Sequence, residues 1–254
     1  MTWMITGLTR TWPGLAPATA LGTQPRQWVS RNGSRAALRR WHCGAMLFKL
    51  TGSSCSGKTT LAYATASRLP HIVVHDFDEL GVPAGADLHW RHRMTEMWVQ
   101  RALEYQERGI DLLLTGQSPL GEVLAVPSAP LLDGIAVCLV DVADEVRRAR
   151  LAARDPGRWD TPAVDAFLGW ATWHRQHALN PRHRPDVIID NSWHKMVWHR
   201  WTSWHASDPR WRTQLLDTTD QPLPNSVGQV ERWITEQRDA HQVGRLSLGH
   251  GWAS

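Results

Sequence analysis

The chain has 254 residues and a formal net charge of +4, with 42% hydrophobic and 20% charged residues. This length and composition fit one α/β domain with an extension better than two full domains. The three cysteines, Cys43, Cys55 and Cys138, are odd in number and lack metal-site spacing, which argues against a disulfide framework. No apolar run approaches the ~20 residues that a membrane-spanning helix needs. We therefore expect a soluble, cytoplasmic protein without a membrane-spanning segment.

The positive charge lies at the start of the chain. Residues 1–45 contain no Asp or Glu and six arginines, namely Arg10, Arg26, Arg31, Arg35, Arg39 and Arg40. The rest of the chain then has 22 basic against 24 acidic residues, or about −2 with histidine neutral. Because affinity for a phosphate backbone comes from clustered Lys and Arg, this body argues against a nucleic-acid partner.

The first 45 residues show no sustained helical or alternating apolar pattern, so we expect them to be largely disordered. Three interpretations stay open: a transit peptide, a basic docking arm, or residues upstream of a natural translation start at Met46. The third is favoured, because the structural pattern begins sharply at Met46. We expect a domain over residues 46–244 and a short tail over residues 245–254.

From Met46 the sequence alternates apolar runs with helical patterns. The runs predict strands at residues 46–50, 71–75, 112–114 and 135–140. The third and fourth of these runs are apolar throughout, as strands of a parallel sheet covered by helices on both faces require. The predicted fold is therefore α/β, a doubly wound parallel sheet of about five strands flanked by helices.

A complete phosphate-loop motif, G-x-x-x-x-G-K-[ST], follows the first predicted strand. Its residues are Gly52, Ser53, Ser54, Cys55, Ser56, Gly57, Lys58 and Thr59, with Thr60 next in the chain. In such a loop backbone N–H groups cradle the phosphates, the lysine reaches the terminal phosphates and the hydroxyl binds Mg²⁺. We expect residues 52–60 to bind the nucleotide, Lys58 to be catalytic and Thr59 to be the metal ligand.

Polar residues also follow the second and third predicted strands. Asp76 and Asp78 come at the edge where open α/β sheets place their ligands, so either could accept the proton of a substrate hydroxyl. We prefer Asp76 as the base and expect Asp78 to contact the substrate, with helix capping as the alternative. Gly116 and Gln117 lie in the same layer as expected substrate contacts. Thr115 stands where an acidic Walker B residue is common.

A helix after the fourth predicted strand carries Arg147, Arg150 and Arg154 on one face and ends at residues 155–157. On a mobile segment, Arg150 and Arg154 could stabilise the charge of a phosphoryl group in transfer. A solvated or salt-bridged face is the alternative. A second helix is predicted to begin near Pro162.

A near-repeat at residues 180–190 and 208–217 offers two candidates for the last strand. The second copy is preferred, because Asn225 or Ser226 can cap a following helix. Tryptophans and histidines are frequent between residues 180 and 211. Residues 193–205, where tryptophan and histidine are densest, contain no acidic residue, so ordinary core packing is favoured there over a metal site.

Over roughly residues 46–240 the chain resembles the small P-loop kinases, a group that includes shikimate kinase, nucleoside and nucleotide kinases, and chloramphenicol phosphotransferase-like enzymes. The strand, loop and helix around residues 52–62 carry the resemblance. The acidic segment at Asp76 and Asp78 is similar to the substrate-binding segment of that group. Residues 216–219 look like its terminal element near the adenine. The chain departs from the group in the Trp/His-rich segment and at Thr115.

The resemblance implies ATP-dependent phosphoryl transfer, with Mg²⁺, to a hydroxyl of a small-molecule acceptor. Arg150 and Arg154 would match the lid approach of the group. The alternative is a nucleotide-binding regulatory or interaction module with slow or no hydrolysis, which the missing Walker B acid slightly favours.

Overall fold

The computed structural model describes residues 44–254, so the expectation for the basic segment over residues 1–45 lies outside the described part of the chain except for its last two residues. Within it, five parallel strands form one sheet in the order β2-β3-β1-β4-β5. The strands are β1 (Leu47–Thr51), β2 (Ile72–Asp76), β3 (Asp111–Thr115), β4 (Ile135–Asp141) and β5 (Thr213–Asp217). The predicted doubly wound parallel sheet is confirmed, including the choice of the second near-repeat for β5.

Helices connect the strands and cover both faces of the sheet. They are α1 (Lys58–Ala66), α2 (Leu88–Gln106), α3 (Leu120–Ala125), α4 (Asp144–Arg154), α5 (Thr161–Leu179), α6 (Asp186–Ile189) and α7 (Leu223–Gln242). Short 3₁₀ turns lie at Ala129–Leu131 and Trp198–Arg200. The first copy of the near-repeat therefore forms the short helix α6 and not a strand.

The two faces of the sheet are packed differently because side chains alternate along each strand. Phe48 and Leu50 of β1 lie in an apolar layer with residues of α1 and α7. Leu47 of β1 joins the opposite layer, which contains residues of α2, α3 and α5 and most of the buried tryptophans. Lys49 and Thr51 also point to this second face, and both are fully buried.

All five strands end at the same edge of the sheet, because they run in parallel. The residues at this edge are polar at the end of every strand, namely Thr51, Asp76, Thr115, Asp141 and Asp217. Asp76 is in register with Thr115, and Asp141 with Asp217. Open α/β sheets bind their ligands beyond the carboxyl ends of the strands, so a functional site is expected at this edge.

Two sequence expectations near the C-terminus need correction. Helix α7 begins at Leu223 and has Pro224 in its first turn, so neither Asn225 nor Ser226 caps it. Proline fits the first turn because the N–H groups there have no partner within the helix.

The final residues also differ from the expected tail. Gly249 bridges Gly134, and Leu248 and Trp252 are buried in the larger core layer. These isolated apolar residues have no helical or strand period, which is why the sequence pattern appears to fade after residue 244.

The tryptophans of the Trp/His-rich segment pack in or against the core, as predicted, whereas His194, His199 and His205 are exposed. Trp201 is fully buried and its indole N–H donates to the carbonyl of Gly121 at 2.8 Å. A Cβ on Gly121 would lie 2.7 Å from the Trp201 ring, so the glycine lets the two segments approach. The guanidinium of Arg200 donates to three carbonyls of the same region, those of Leu124, Val126 and Pro127.

Candidate phosphate-binding site

The loop between β1 and α1 has the conformation that its glycines allow. Gly52 and Gly57 have φ values of 143° and 93°, and Cys55 also lies in the left-handed region at 60°. A Cβ on Gly52 would lie 2.2 Å from the carbonyl oxygen of Val140, so only glycine fits there. Helix α1 begins directly after the loop, so its N-terminal N–H groups and dipole favour an anion at this place.

Lys58 is the first residue of α1 and lies over the loop. Its Nζ donates to the carbonyl of Ser53 at 3.1 Å. Burial lowers the pKa of Lys58 to about 8, against the opposing effect of Asp76 and Asp78. The side chain is therefore mostly protonated at neutral pH and brings a positive charge to the loop. Thr60 is exposed on the same helix.

Asp76 joins the loop to the neighbouring strand. Its Oδ2 accepts hydrogen bonds from Thr59 Oγ at 2.8 Å and from Thr115 Oγ at 2.9 Å. Burial raises the pKa of Asp76, but the bonds from Thr59, the Asp78 backbone and Thr115, together with Lys58, outweigh burial and hold it below its usual range. The carboxylate is therefore ionised and lies beside the expected metal ligand. Thr115 has a hydroxyl that orients this carboxylate.

Asp78 lies two residues further on, in the turn after β2, and is exposed. Its backbone N–H donates to Asp76 Oδ1 at 3.1 Å. Desolvation by the surrounding protein and the charge of Asp76 raise the pKa of Asp78 above its usual value, although Lys58 and Lys49 act in the opposite direction. The two carboxylates thus have opposite pKa shifts within one short segment.

The three arginines that share one face of α4, Arg147, Arg150 and Arg154, have different surroundings. Arg147 is fully buried, pairs with Asp141 at 2.6 Å and donates to the loop carbonyl of Ser54 at 2.5 Å. Arg150 donates to Thr218 O at 3.2 Å and, over 3.4 Å, to the loop carbonyl of Cys55.

The last of these arginines, Arg154, pairs with the adjacent Asp155 at 2.7 Å. Ser53 Oγ also donates to the carbonyl of Phe167, so α5 contacts the loop as α4 does. Of the two arginines expected to be catalytic, Arg150 therefore contacts the loop directly, whereas Arg154 forms an ion pair with Asp155 at the end of α4.

Residues after β5 also reach the loop. Thr218 Oγ donates to the carbonyls of Asp141 at 3.0 Å and Ser56 at 3.1 Å. The Ser56 hydroxyl itself is buried and has no hydrogen-bond partner within the described structure. The loop is thus held from β2, α4, α5 and the segment that follows β5.

Beneath the loop, on the second face of the sheet, lies a buried polar group that the sequence pattern did not reveal. Glu122 of α3 pairs with Arg91 of α2 and lies 3.6 Å from His92 Nε2. Burial raises the pKa of Glu122, but Arg91 and His92 overcome this effect and lower it to about 2. His174 of α5 lies 3.4 Å from Thr51 Oγ.

Lys49 belongs to the same buried region. In the sequence it is the charged residue within the apolar run at residues 46–50. Gly116 lies against it: a Cβ on Gly116 would be 2.6 Å from Lys49 Nζ and 2.7 Å from Phe77 Cβ. Gln117 follows Gly116 and is half-buried. The predicted substrate contacts thus lie next to a lysine that the sequence interpretation did not single out.

The geometry fits a magnesium ion bound mainly through nucleotide phosphates. Among residues 44–254, no group of three or more His, Cys, Asp or Glu residues could hold a metal by itself. Mg²⁺ usually keeps several waters and takes one or two protein ligands plus substrate phosphates. Thr59 Oγ and the ionised Asp76 carboxylate, 2.8 Å apart, supply that kind of ligand set.

Comparison with known proteins gives matches only among solved structures. No protein-family model matches the chain, and none of the curated proteins matches it significantly. A sugar kinase from Janibacter sp. HTCC2649 is 14% identical, with a TM-score of 0.48 over 75% of this chain and 95% of its own. The thymidylate kinase of Candida albicans is 12% identical, with a TM-score of 0.48 over 78% of this chain and 94% of its own. A gluconokinase from Sinorhizobium meliloti 1021 is 14% identical, with a TM-score of 0.40 over 78% of this chain and 99% of its own.

Since these TM-scores lie below 0.5, the class of this protein rests on its own sheet and loop. A five-stranded parallel sheet flanked by helices, with a phosphate-loop sequence between the central strand and the next helix, gives the chain a P-loop NTPase fold. None of the helices over residues 44–254 is both long and apolar enough to cross a membrane.

Proposed function

We propose that this protein is an ATP-dependent phosphotransferase that transfers a phosphoryl group to a hydroxyl of a small-molecule acceptor. The observation that carries the proposal is the position of Asp76. It bonds Thr59 at the loop and Thr115 at the end of β3, close to Lys58. A carboxylate so placed supplies the acidic group that the third strand lacks.

In this proposal Asp76 serves the metal and not the acceptor. Bound Mg²⁺ would neutralise part of the phosphate charge in the transfer step. Thr59 and Asp76 would hold the ion, while the hydroxyl of Thr115 orients the carboxylate. Because hydrogen bonds keep the pKa of Asp76 low, the residue stays charged for binding but is a weak proton acceptor.

Asp78 is then the candidate general base, which reverses the order expected from the sequence. An efficient base has a pKa near the working pH, and the pKa of Asp78 is raised whereas that of Asp76 is lowered. Asp78 is also exposed, so an acceptor hydroxyl could reach it from solvent. The proton would move from that hydroxyl to the Asp78 carboxylate as the phosphoryl group is transferred.

Positive charge for the transferred group comes from Lys58 and from α4. Arg150 contacts the loop carbonyl of Cys55 and the segment after β5, which keeps its charge beside the phosphate loop. Arg154 lies one turn further along α4 and would have to leave Asp155 to take part. Arg147 holds the loop in place through Ser54.

Two matched variants separate the roles of the acidic residues. Asp76→Asn should weaken Mg²⁺-dependent ATP binding, measured by calorimetry with and without Mg²⁺. Asp78→Asn should leave ATP affinity nearly intact and lower turnover by about 10²–10⁴-fold, the usual contribution of a positioned base. Glu104→Gln is the control, since Glu104 makes an exposed pair with Arg101 on α2.

Turnover is followed as ATP consumption with a panel of nucleosides, sugars and antibiotics as acceptors. If Asp76→Asn binds Mg·ATP as the wild type does, the metal assignment is wrong. Tight Mg·ATP binding without turnover on any acceptor would instead favour the regulatory or interaction module.

A further inference from the structure

Lysine is rare in this chain, and most of its lysines lie at the candidate site. The sequence contains three lysines, Lys49, Lys58 and Lys195, against 25 arginines. Two of the three are at the candidate site, while Lys195 is exposed in the Trp/His-rich segment. Lysine is thus concentrated at the phosphate loop and in the strand that leads to it, whereas arginine supplies nearly every cation elsewhere in the chain.

Lys49 occupies an unusual position for a charged residue. It lies in the middle of β1, the central strand, and is fully buried. Its Nζ has no hydrogen-bond partner among the described residues, so three N–H donors meet no acceptor. The Phe77 ring centroid lies 5.4 Å away, and the space that a Gly116 side chain would fill is taken by the amine.

The charged groups that influence Lys49 come from three elements of the fold. They are Lys58 of α1, Asp76 and Asp78 at the end of β2, and Glu122 of α3. The strongest of these influences is the positive charge of Lys58. Since the charge of Lys58 opposes that of Lys49, an anion that contacts the Lys49 amine would relieve both the repulsion and the unmet donors.

A buried amine without a partner is expensive for the fold, and a methionine of similar size would avoid the cost. Burial and Lys58 lower the pKa of Lys49 to about 7, so the amine can lose its proton when no anion is near. Arginine could not do so, because its guanidinium stays charged in proteins. The lysine thus fits a position that is neutral in one state and charged in another.

We propose that Lys49 is an anion-binding lysine on the acceptor side of the phosphate loop. Its amine would bind anionic oxygens, either those of the phosphoryl group in transfer or those of a phosphate or carboxylate carried by the acceptor. The inference deepens the proposed phosphotransferase function and rests on it for the nucleotide, but anion binding by Lys49 can be measured on its own.

The experiment measures the binding of inorganic phosphate by calorimetry in three states: without nucleotide, with saturating Mg·ADP, and with a saturating Mg-bound non-hydrolysable ATP analogue. The variants are Lys49→Met, which keeps the length and removes the charge, and Lys195→Met as the exposed control. Lys49→Leu is a second variant in case methionine does not fit the strand. Circular dichroism and melting temperature establish that each variant is folded.

With Mg·ADP bound, Lys49→Met should bind phosphate roughly 10–100-fold more weakly than the wild type, the loss expected for a hydrogen bond to a charged group. Lys195→Met should bind it as the wild type does. If the ATP analogue prevents phosphate binding, Lys49 contacts the transferred phosphoryl group. If binding persists beside the analogue and still depends on Lys49, the acceptor itself is anionic.

Equal phosphate affinity in the folded Lys49 variants and the wild type would overturn the proposal, as would undetectable phosphate binding by the wild type in all three states. A wild-type protein that binds no Mg·ADP would count against the proposed nucleotide site instead. The titration without nucleotide would still test Lys49 in that case.

Discussion

The two faces of the central sheet differ in chemistry although they share the same strands. On one face β1 presents Phe48 and Leu50 to α1 and α7, in a layer of apolar side chains. On the other face the same strand presents Lys49 and Thr51, and a buried Arg91–Glu122 pair lies nearby. Buried ionic groups add little net stability compared with well-packed apolar residues, so the polar groups on the second face are better explained by the candidate site at its edge.

The difference between the faces can be tested first on the apolar side. Phe48→Ala should lower the free energy of unfolding by about 3–5 kcal/mol, because Phe48 is fully buried and its ring packs edge-on against Trp233 at 5.5 Å. Urea unfolding at several pH values measures the loss, which should be the same at each. A loss that varies with pH would mean that ionisable groups also influence this face.

On the polar side, Glu122→Gln should cost about 3 kcal/mol at neutral pH, since it leaves Arg91, whose side chain is only 11% exposed, without its charged partner. The cost should depend on pH. The pKa of Glu122 is lowered from 4.5 to about 2, so its stabilising effect is complete above pH 4.5 and is lost as the pH falls toward 2.

Parallel unfolding curves of the wild type and Glu122→Gln between pH 2 and pH 7 measure this dependence. The exposed Arg101–Glu104 pair is the control, and Arg101→Ala should change stability by less than about 1 kcal/mol. A pH-independent difference between wild type and Glu122→Gln would contradict the assigned ion pair.

An effect of opposite sign is expected for Lys49→Met, which should raise the free energy of unfolding by about 2–5 kcal/mol at pH 6. The pKa of Lys49 is lowered from 10.5 to about 7, so the unfolded chain binds more protons between these values. The lysine therefore costs most stability below pH 7, and the advantage of methionine should shrink as the pH rises toward 10.5. A variant less stable than the wild type at pH 6 would show that the amine has a stabilising partner.

The elements that were predicted correctly from the sequence are those whose pattern lies within a few consecutive residues. The phosphate loop is a contiguous motif, and β1 and β4 are apolar runs of the right length for buried strands. The closeness of Asp76 to Thr59 was foreseeable only in outline, because parallel strands end at one edge. Which of the two acids bonds the loop depends on the register of Asp76 with Thr115, and register is a tertiary feature.

What sequence missed depends on long-range contacts. Arg91 and Glu122 are 31 residues apart and Trp201 contacts Gly121 across 80 residues, and neither pairing leaves a local pattern. Lys49 did leave a signal, since a lysine inside an apolar run is either at the surface or buried for a reason. The sequence alone does not distinguish a surface lysine from a buried one, because the burial of a strand depends on its place in the sheet.

The most direct test of the account is the affinity of Mg·ATP for the wild type and for Lys58→Ala, measured by calorimetry together with the melting temperature of each. If the polar edge of the sheet is a nucleotide site, Lys58→Ala should lose most of its affinity, roughly 100-fold or more, because the lysine supplies the charge that reaches the terminal phosphates. Its melting temperature without nucleotide should stay close to that of the wild type. A folded Lys58→Ala protein that binds Mg·ATP as tightly as the wild type would contradict the assignment of this edge as the phosphate-binding site.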